Sequence, residues 1–200
     1  FGNSLLLRVG MRLCKVEPTL AAATAKEAIS GGIMADATDM CRVKHIAGGR
    51  DYDKNQVSLR FQKDNYIGND VVKISKTFMD YLQRTNDPRI AVYCSLKDGN
   101  ADPAVQMGLP NGYDSNNITS FPGYVGKEYY SNFNINTIMK MDAPTLLLMP
   151  SESKLLEAEA ALRGWVAGDA GELFNQAVRL SMKEQEVAYG VSITDDQIEA

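Results

Sequence analysis

A chain of 200 residues suits one domain or one large piece of a bigger one. At 44% apolar and 23% charged residues it can bury a core without disulfide or metal staples. Twenty-five acidic residues against twenty-one basic ones give a net charge of −4, which argues against a nucleic-acid partner, because phosphate binding needs clustered Lys and Arg. No run approaches the roughly 20 apolar residues of a helical membrane span, the best being Thr145-Leu-Leu-Leu-Met149.

The chain opens at Phe1 already inside a helical pattern and stops at Ala200 as another helix begins. It therefore reads as a fragment or processed product, silent on compartment. Leu6, Val9, Leu13 and Val16 recur at helical spacing and predict a helix over 4 to 16. Pro18 suits a first helical turn and opens a second helix, about 18 to 30, with Ala21, Ala25, Ala28 and Ile29 on one face. Gly31-Gly32 ends it, and so short a connection implies an antiparallel hairpin.

Between about 36 and 149 the character changes to a loop-rich insert. Val57-Ser-Leu-Arg-Phe61 alternates like a strand, and Ile90-Ala-Val-Tyr-Cys94 is a second strand candidate. Ile74, Phe78, Met79 and Leu82 mark a helix of about 74 to 85, stopped by Asn86-Asp87-Pro88. Residues 96 to 137 are rich in Gly, Asn, Asp, Ser and Pro, but their aromatic rings argue against disorder.

A second hairpin is predicted over 151 to 187. Leu155, Leu156, Ala158 and Leu162 mark its first helix, Gly164 and Gly168 its turn, and Leu173, Phe174, Ala177, Val178 and Met182 its second helix. The two hairpins read as copies. Leu6-Leu7 recurs as Leu155-Leu156, Ala21 as Ala170 and Ala28-Ile29 as Ala177-Val178, each 149 positions on (155 − 6). Ala170, Phe174 and Ala177 keep the spacing of a tetratricopeptide second helix, in which a small residue lets backbones approach and the ring fills the groove beside it. Neither hairpin can bury its apolar face alone, so the two are expected to lie together.

The chemistry of catalysis is sparse. A triad would have to use the lone histidine, His45, and Cys41 would share a face with it only on a helix. Cys14, Cys41 and Cys94 include no CxxC pair and read as small buried apolar residues. Glu157 and Glu159 diverge on their helix, Asp195-Asp196 suits a helix start, and Asp98, Asp102 and Asp114 lack calcium-loop spacing. Neither a cofactor nor a metal is expected. What remains is the aromatic middle, where Tyr113, Tyr124, Tyr129 and Tyr130 are the candidate ligand-binding residues. A tyrosine offers a flat apolar face and a hydroxyl, which suits a sugar ring or a peptide. The same rings could equally pin a long loop to its scaffold. Tyr129 and Tyr130 are adjacent, so in an extended stretch at most one of them faces a ligand.

Several motifs in order carry a resemblance: Asn3-Ser-Leu-Leu-Leu-Arg-Val-Gly-Met-Arg-Leu13, Lys15-Val-Glu-Pro18, Ala25-Lys-Glu-Ala-Ile29, Asn86-Asp-Pro-Arg89, Gly108-Leu-Pro-Asn-Gly112, Ala158-Glu-Ala-Ala-Leu-Arg-Gly-Trp165, Phe174-Asn175 and Arg179-Leu-Ser-Met182. Together the chain resembles the SusD/RagB family of outer-membrane nutrient-binding lipoproteins, and residues 1–200 read as one SusD-like domain fragment. The resemblance implies a mainly α fold of tetratricopeptide-like hairpins with long irregular loops and short β segments. It implies a surface-exposed protein on the outer membrane, lipid-anchored through a segment outside this chain. It also implies non-catalytic capture of a glycan or other oligomeric nutrient for a TonB-dependent (SusC-like) transporter. Ser153 stands where members often carry an acid, and free cysteines are unusual on a surface protein. Trp165 in its motif reads as buried packing at a hairpin turn and not as a sugar platform. The other classes open to the chain are a tetratricopeptide-type protein adaptor and a Cys41/His45 enzyme. The 149-residue offset argues against the adaptor, whose repeats follow one another directly.

Overall fold

The computed structural model describes residues 1–63, 72–113 and 116–199. Eight α-helices are seen among them: α1 Gly2–Met11, α2 Pro18–Ser30, α3 Gln56–Lys63, α4 Lys76–Arg84, α5 Ile90–Tyr93, α6 Pro150–Leu162, α7 Ala170–Tyr189 and α8 Asp195–Glu199. The strands are short: β1 Cys41–Val43, β2 Cys94–Ser95, β3 Asn132–Phe133 and β4 Thr145–Leu148. The chain forms two compact units, one of Phe1–Val43 and Pro144–Ala188, the other of Lys44–Ala143 and Tyr189–Ala200.

The first unit holds both hairpins. Helix α1 is shorter than its periodicity predicts. Beyond Met11 the chain tightens into i→i+3 bonds, with Leu13 donating to Gly10 and Val16 to Leu13. Gly10 lets α1 and α2 approach, since a Cβ there would stand 2.6 Å from Thr24 Cγ2. At the other end of the pair the Asn3 amide donates to the carbonyls of Gly31 and Gly32, satisfying groups that the end of α2 leaves open. The expected juxtaposition of the hairpins is present. Leu7, Met11, Ala25, Ala28 and Ala160 form one buried cluster, so α1, α2 and α6 share a core. Each fully buried Leu contributes about 2–3 kcal/mol. Arg8 reaches from α1 to the Glu152 carboxylate on α6 (Nε to Oε1 2.6 Å), and β1 pairs antiparallel with β4 through a bulge at Cys41/Arg42.

The second hairpin closes at its open end on a buried carboxylate. Glu184 of α7, 1% exposed, accepts from the Ser151 N–H and from the Ser151 hydroxyl, each at 2.6 Å, and so caps α6. Burial pushes the Glu184 pKa up, outweighing the two Ser151 hydrogen bonds that lower it. A raised folded-state pKa means that the folded form binds the proton more tightly than the unfolded chain. The resulting contribution is complete below the ordinary carboxylate pKa and is lost as pH rises through the folded value. Glu184→Gln removes that linkage. The stability advantage of the parent over the variant should therefore grow on acidification from pH 7 to pH 4.5 in urea titrations. A difference independent of pH would contradict this reading. Phe174 departs from the tetratricopeptide pattern: at 52% exposed it does not fill a groove, while Ala177 is buried. Ser153 is fully buried, its hydroxyl turned back to the Met149 carbonyl of its own helix.

In the second unit both strand expectations are overturned. Val57–Phe61 belongs to α3, because the Asn55 side chain accepts from the N–H groups of Val57 and Ser58 and starts a helix. Leu59 and Phe61 are buried but Val57 is 65% exposed, so the period-two pattern has no sheet face to fill. Ile90–Tyr93 is the single helical turn α5, set by Asp87, whose carboxylate accepts from the Arg89 N–H. Only then does the chain extend into β2, which pairs antiparallel with β3. The predicted helix of 74 to 85 is α4, capped by the Ser75 hydroxyl. Its buried residues Met79 and Leu82 join Ile74, Ile90 and Cys94 in a second core. Burial pushes the Cys94 thiol up to about 12, which makes it chemically quiet. Cys41 lies in β1, so the helical face that a Cys41–His45 pair needs is not formed.

Candidate ligand-binding site

Helix α4 buries one side and presents the other. Lys76, Asp80 and Gln83, at i, i+4 and i+7, form an exposed polar edge. Lys76 Nζ pairs with Asp80 Oδ2 at 2.6 Å, and the Gln83 amide donates to the Gln106 carbonyl at 2.9 Å. The segment after Gln106 is strapped to the start of this helix. Leu109 N–H donates to the Ile74 carbonyl and Lys76 N–H to the Leu109 carbonyl, both at 2.7 Å. Only glycine fits at 108, where a Cβ would lie 2.5 Å from Lys76 Cα and 2.7 Å from the Ser75 carbonyl oxygen.

Below that strap the aromatic residues gather. Phe121 and Tyr130 line a cavity of about 310 Å³ together with Lys76, Asp80, Gln106 and Gly108. Tyr130 is 1% exposed, and Tyr124 stacks on it with centroids 6.2 Å apart. Tyr113 packs edge-to-face on Phe121 at 5.4 Å. Of the four tyrosines named from sequence, the structure brings Tyr130 to the cavity and packs Tyr124 and Tyr113 against the two lining rings. Tyr129, at the end of a 3-10 turn, is 55% exposed and is not among the lining residues. The adjacent pair therefore splits, one ring buried and one in solvent. Sequence reasoning passed over Phe121, Lys76, Asp80 and Gln83. The i, i+4, i+7 spacing of Lys76, Asp80 and Gln83 along α4 was the available signal for the last three.

Two features outside this cavity bear on the expectations. Trp165 packs against the first core cluster but is only half-buried. Its ring sits under the Arg163 guanidinium at 5.3 Å and borders an open depression along Pro18, Ala22 and Lys26 of α2. The expectation of a largely buried ring is thus met only in part: the indole packs on the core and also borders that open depression. Among the described residues, no group of three or more His, Cys, Asp or Glu is placed to hold a metal ion.

The first unit is thus built from helical hairpins, and the second carries a loop-built cavity with a polar edge and an aromatic one. Residues 1–196 match the family model described as SusD-like, Susd and RagB outer membrane lipoprotein. The chain belongs to this family of outer-membrane lipoproteins. Among solved structures, it is 28% identical to a protein described as chitin-binding, with a TM-score of 0.80, over 98% of this chain and 42% of that one. It is also 28% identical to a SusD-like protein from Bacteroides thetaiotaomicron (TM-score 0.70, 98% and 37% covered). A chitin-binding SusD homolog from Flavobacterium johnsoniae shares the fold at 24% identity (TM-score 0.72, 98% and 36% covered). The chain thus spans less than half the length of these structures. Among curated proteins none matches it.

Proposed function

We propose that the protein captures a glycan at the cell surface and passes it unchanged to a TonB-dependent outer-membrane transporter, held at the membrane by a lipid anchor outside these 200 residues. The observation that carries this reading is the cavity between the α4 polar edge and Phe121. A sugar presents a C–H face and a rim of hydroxyls together. Phe121 suits the face, and Lys76, Asp80 and Gln83 suit the rim. Binding residues on loops strapped to a rigid scaffold are also the common arrangement. The chitin-binding description of a relative at 28% identity supports a carbohydrate over a peptide.

Calorimetric titration of the intact protein against a panel of neutral oligosaccharides tests this. At least one should bind, and Phe121→Ala should weaken it about tenfold, equivalent to about 1.4 kcal/mol, at the upper end of what an aromatic contact is worth. An intact protein that binds peptides and no saccharide would overturn the proposal.

A further inference from the structure

Resting on the glycan reading, we infer that the ligand is an extended chain of neutral sugars and that a second cavity, beyond Gln83, holds the units next to the one on Phe121. This cavity has a volume of about 380 Å³, and Gln83, Asn86, Pro88, Ile90, Pro103 and Gln197 are among the residues that line it. Gln83 lines the first cavity as well. Both cavities lie in the second unit and along one seam. On one side of the seam run α4 and the turn that ends it. On the other runs the segment from Pro103 to Pro110, whose first residues wall the second cavity and whose last residues wall the first. The Gln83–Gln106 hydrogen bond crosses the seam between them.

The seam is too long for one sugar ring. From Lys76 to Gln83 alone the helix rises about 10 Å, at ~1.5 Å per residue, and Asn86 stands past its last turn. A ligand that fills both cavities passes over Gln83, which is exposed. That amide uses one N–H on the Gln106 carbonyl. Its second N–H and its oxygen make no hydrogen bond among the described residues, which leaves a donor and an acceptor for sugar hydroxyls.

The second cavity is built for hydroxyls and not for charge. Three carboxamides line it, those of Gln83, Asn86 and Gln197. Asn86 holds the left-handed turn with its backbone, and its side chain makes no hydrogen bond among the described residues. Gln197 uses its oxygen on the Thr194 N–H at 2.9 Å, so its NH2 group is the donor left over. The charged lining residue, Asp87, is committed to Arg89. An ionised sugar unit would find no unpaired counter-charge there, whereas hydroxyls meet amides that both donate and accept.

Calorimetry on the intact protein tests this with α- and β-1,4-linked glucose oligomers and with β-1,4-linked mannose and N-acetylglucosamine oligomers, each as disaccharide and hexasaccharide. In any series that binds, the hexasaccharide should bind at least about tenfold more tightly than the disaccharide, near 1.4 kcal/mol. Two variants ask whether the second cavity supplies that gain, and thermal melting checks that both fold. Ala104→Phe places a ring in the cavity from an exposed lining position. It should lower hexasaccharide affinity about tenfold, to that of the disaccharide. Asn86→Gly removes an amide but keeps the left-handed turn, which glycine adopts freely, and should lose about threefold on the hexasaccharide. The several registers open to a longer chain are the same in parent and variants, so they do not mimic these losses. Equal binding of the two lengths by the parent, or an undiminished length gain in both variants, would overturn the inference and leave the glycan reading standing. Binding of no saccharide in any series would overturn both.

Discussion

Replacing Asp87 with Ala should cost the intact protein about 3–5 kcal/mol, the largest single loss we expect from a side chain of this fold. The reason lies in how α4 hands over to α5. Asn86 turns the chain in the left-handed region (φ 48), which asparagine tolerates better than most residues. Asp87 then folds back, its N–H donating to the Leu82 carbonyl at 2.9 Å, and its side chain is left only 5% exposed. That carboxylate accepts from the Arg89 N–H and from Arg89 Nε, both at 2.9 Å, and pairs with the guanidinium terminus as well. Removing it takes the carboxylate away from a guanidinium that is itself only 19% exposed and frees the N–H that starts α5. Asp87→Asn keeps an acceptor for the N–H but loses the charge, so it should fall between parent and Ala. Urea titration of the three proteins measures the order. A loss under 1 kcal/mol for Asp87→Ala would mean that this turn does not depend on the pair.

The second large effect is expected at Gly108. Its replacement by Ala places a methyl against the Lys76 and Ser75 backbone, which cannot yield as a flexible side chain would. Either the Leu109–Ile74 and Lys76–Leu109 hydrogen bonds open or the helix start shifts. Overpacking of this kind costs about 1–3 kcal/mol, and the shift also moves the wall between α4 and Tyr130. Gly108→Ala should therefore lose both stability and saccharide binding. Gly112 is the matched control. Unlike Gly108 it has a positive φ (85), but a Cβ there meets open space, so Gly112→Ala should cost only the backbone term, about 1–2 kcal/mol, and leave binding intact. If both variants bind like the parent, the strap does not shape the site.

These two motifs show which parts of the fold could be read in advance. Asn86-Asp-Pro-Arg89 and Gly108-Leu-Pro-Asn-Gly112 carried the family resemblance, but their physical roles depend on residues distant in sequence, and no local pattern reveals that Gly108 meets Lys76. The hairpins were legible because their signals are local: helical spacing in each arm, proline at the start of α2, glycines at the turns. Strands were wrongly expected at 57–61 and 90–94 because five residues of alternating apolar character cannot distinguish a short helix from a strand. The deciding groups, Asn55 and Asp87, stand just outside those windows. At the site, the residue type was legible and the assembly was not. Tyr130 was among the named tyrosines, but its partners come from α4 and from Phe121, brought together only by the fold. Phe174 departs for a related reason: the spacing of a repeat places a ring on a helix face without saying whether anything covers that face.

The measurement that tests the glycan reading most directly is a crystal structure of the intact protein with a neutral oligosaccharide. We expect a sugar ring in van der Waals contact with Phe121, its hydroxyl rim within hydrogen-bond reach of Lys76, Asp80 or Gln83. A saccharide bound elsewhere, with Phe121 and the edge of α4 uncovered, would contradict the account.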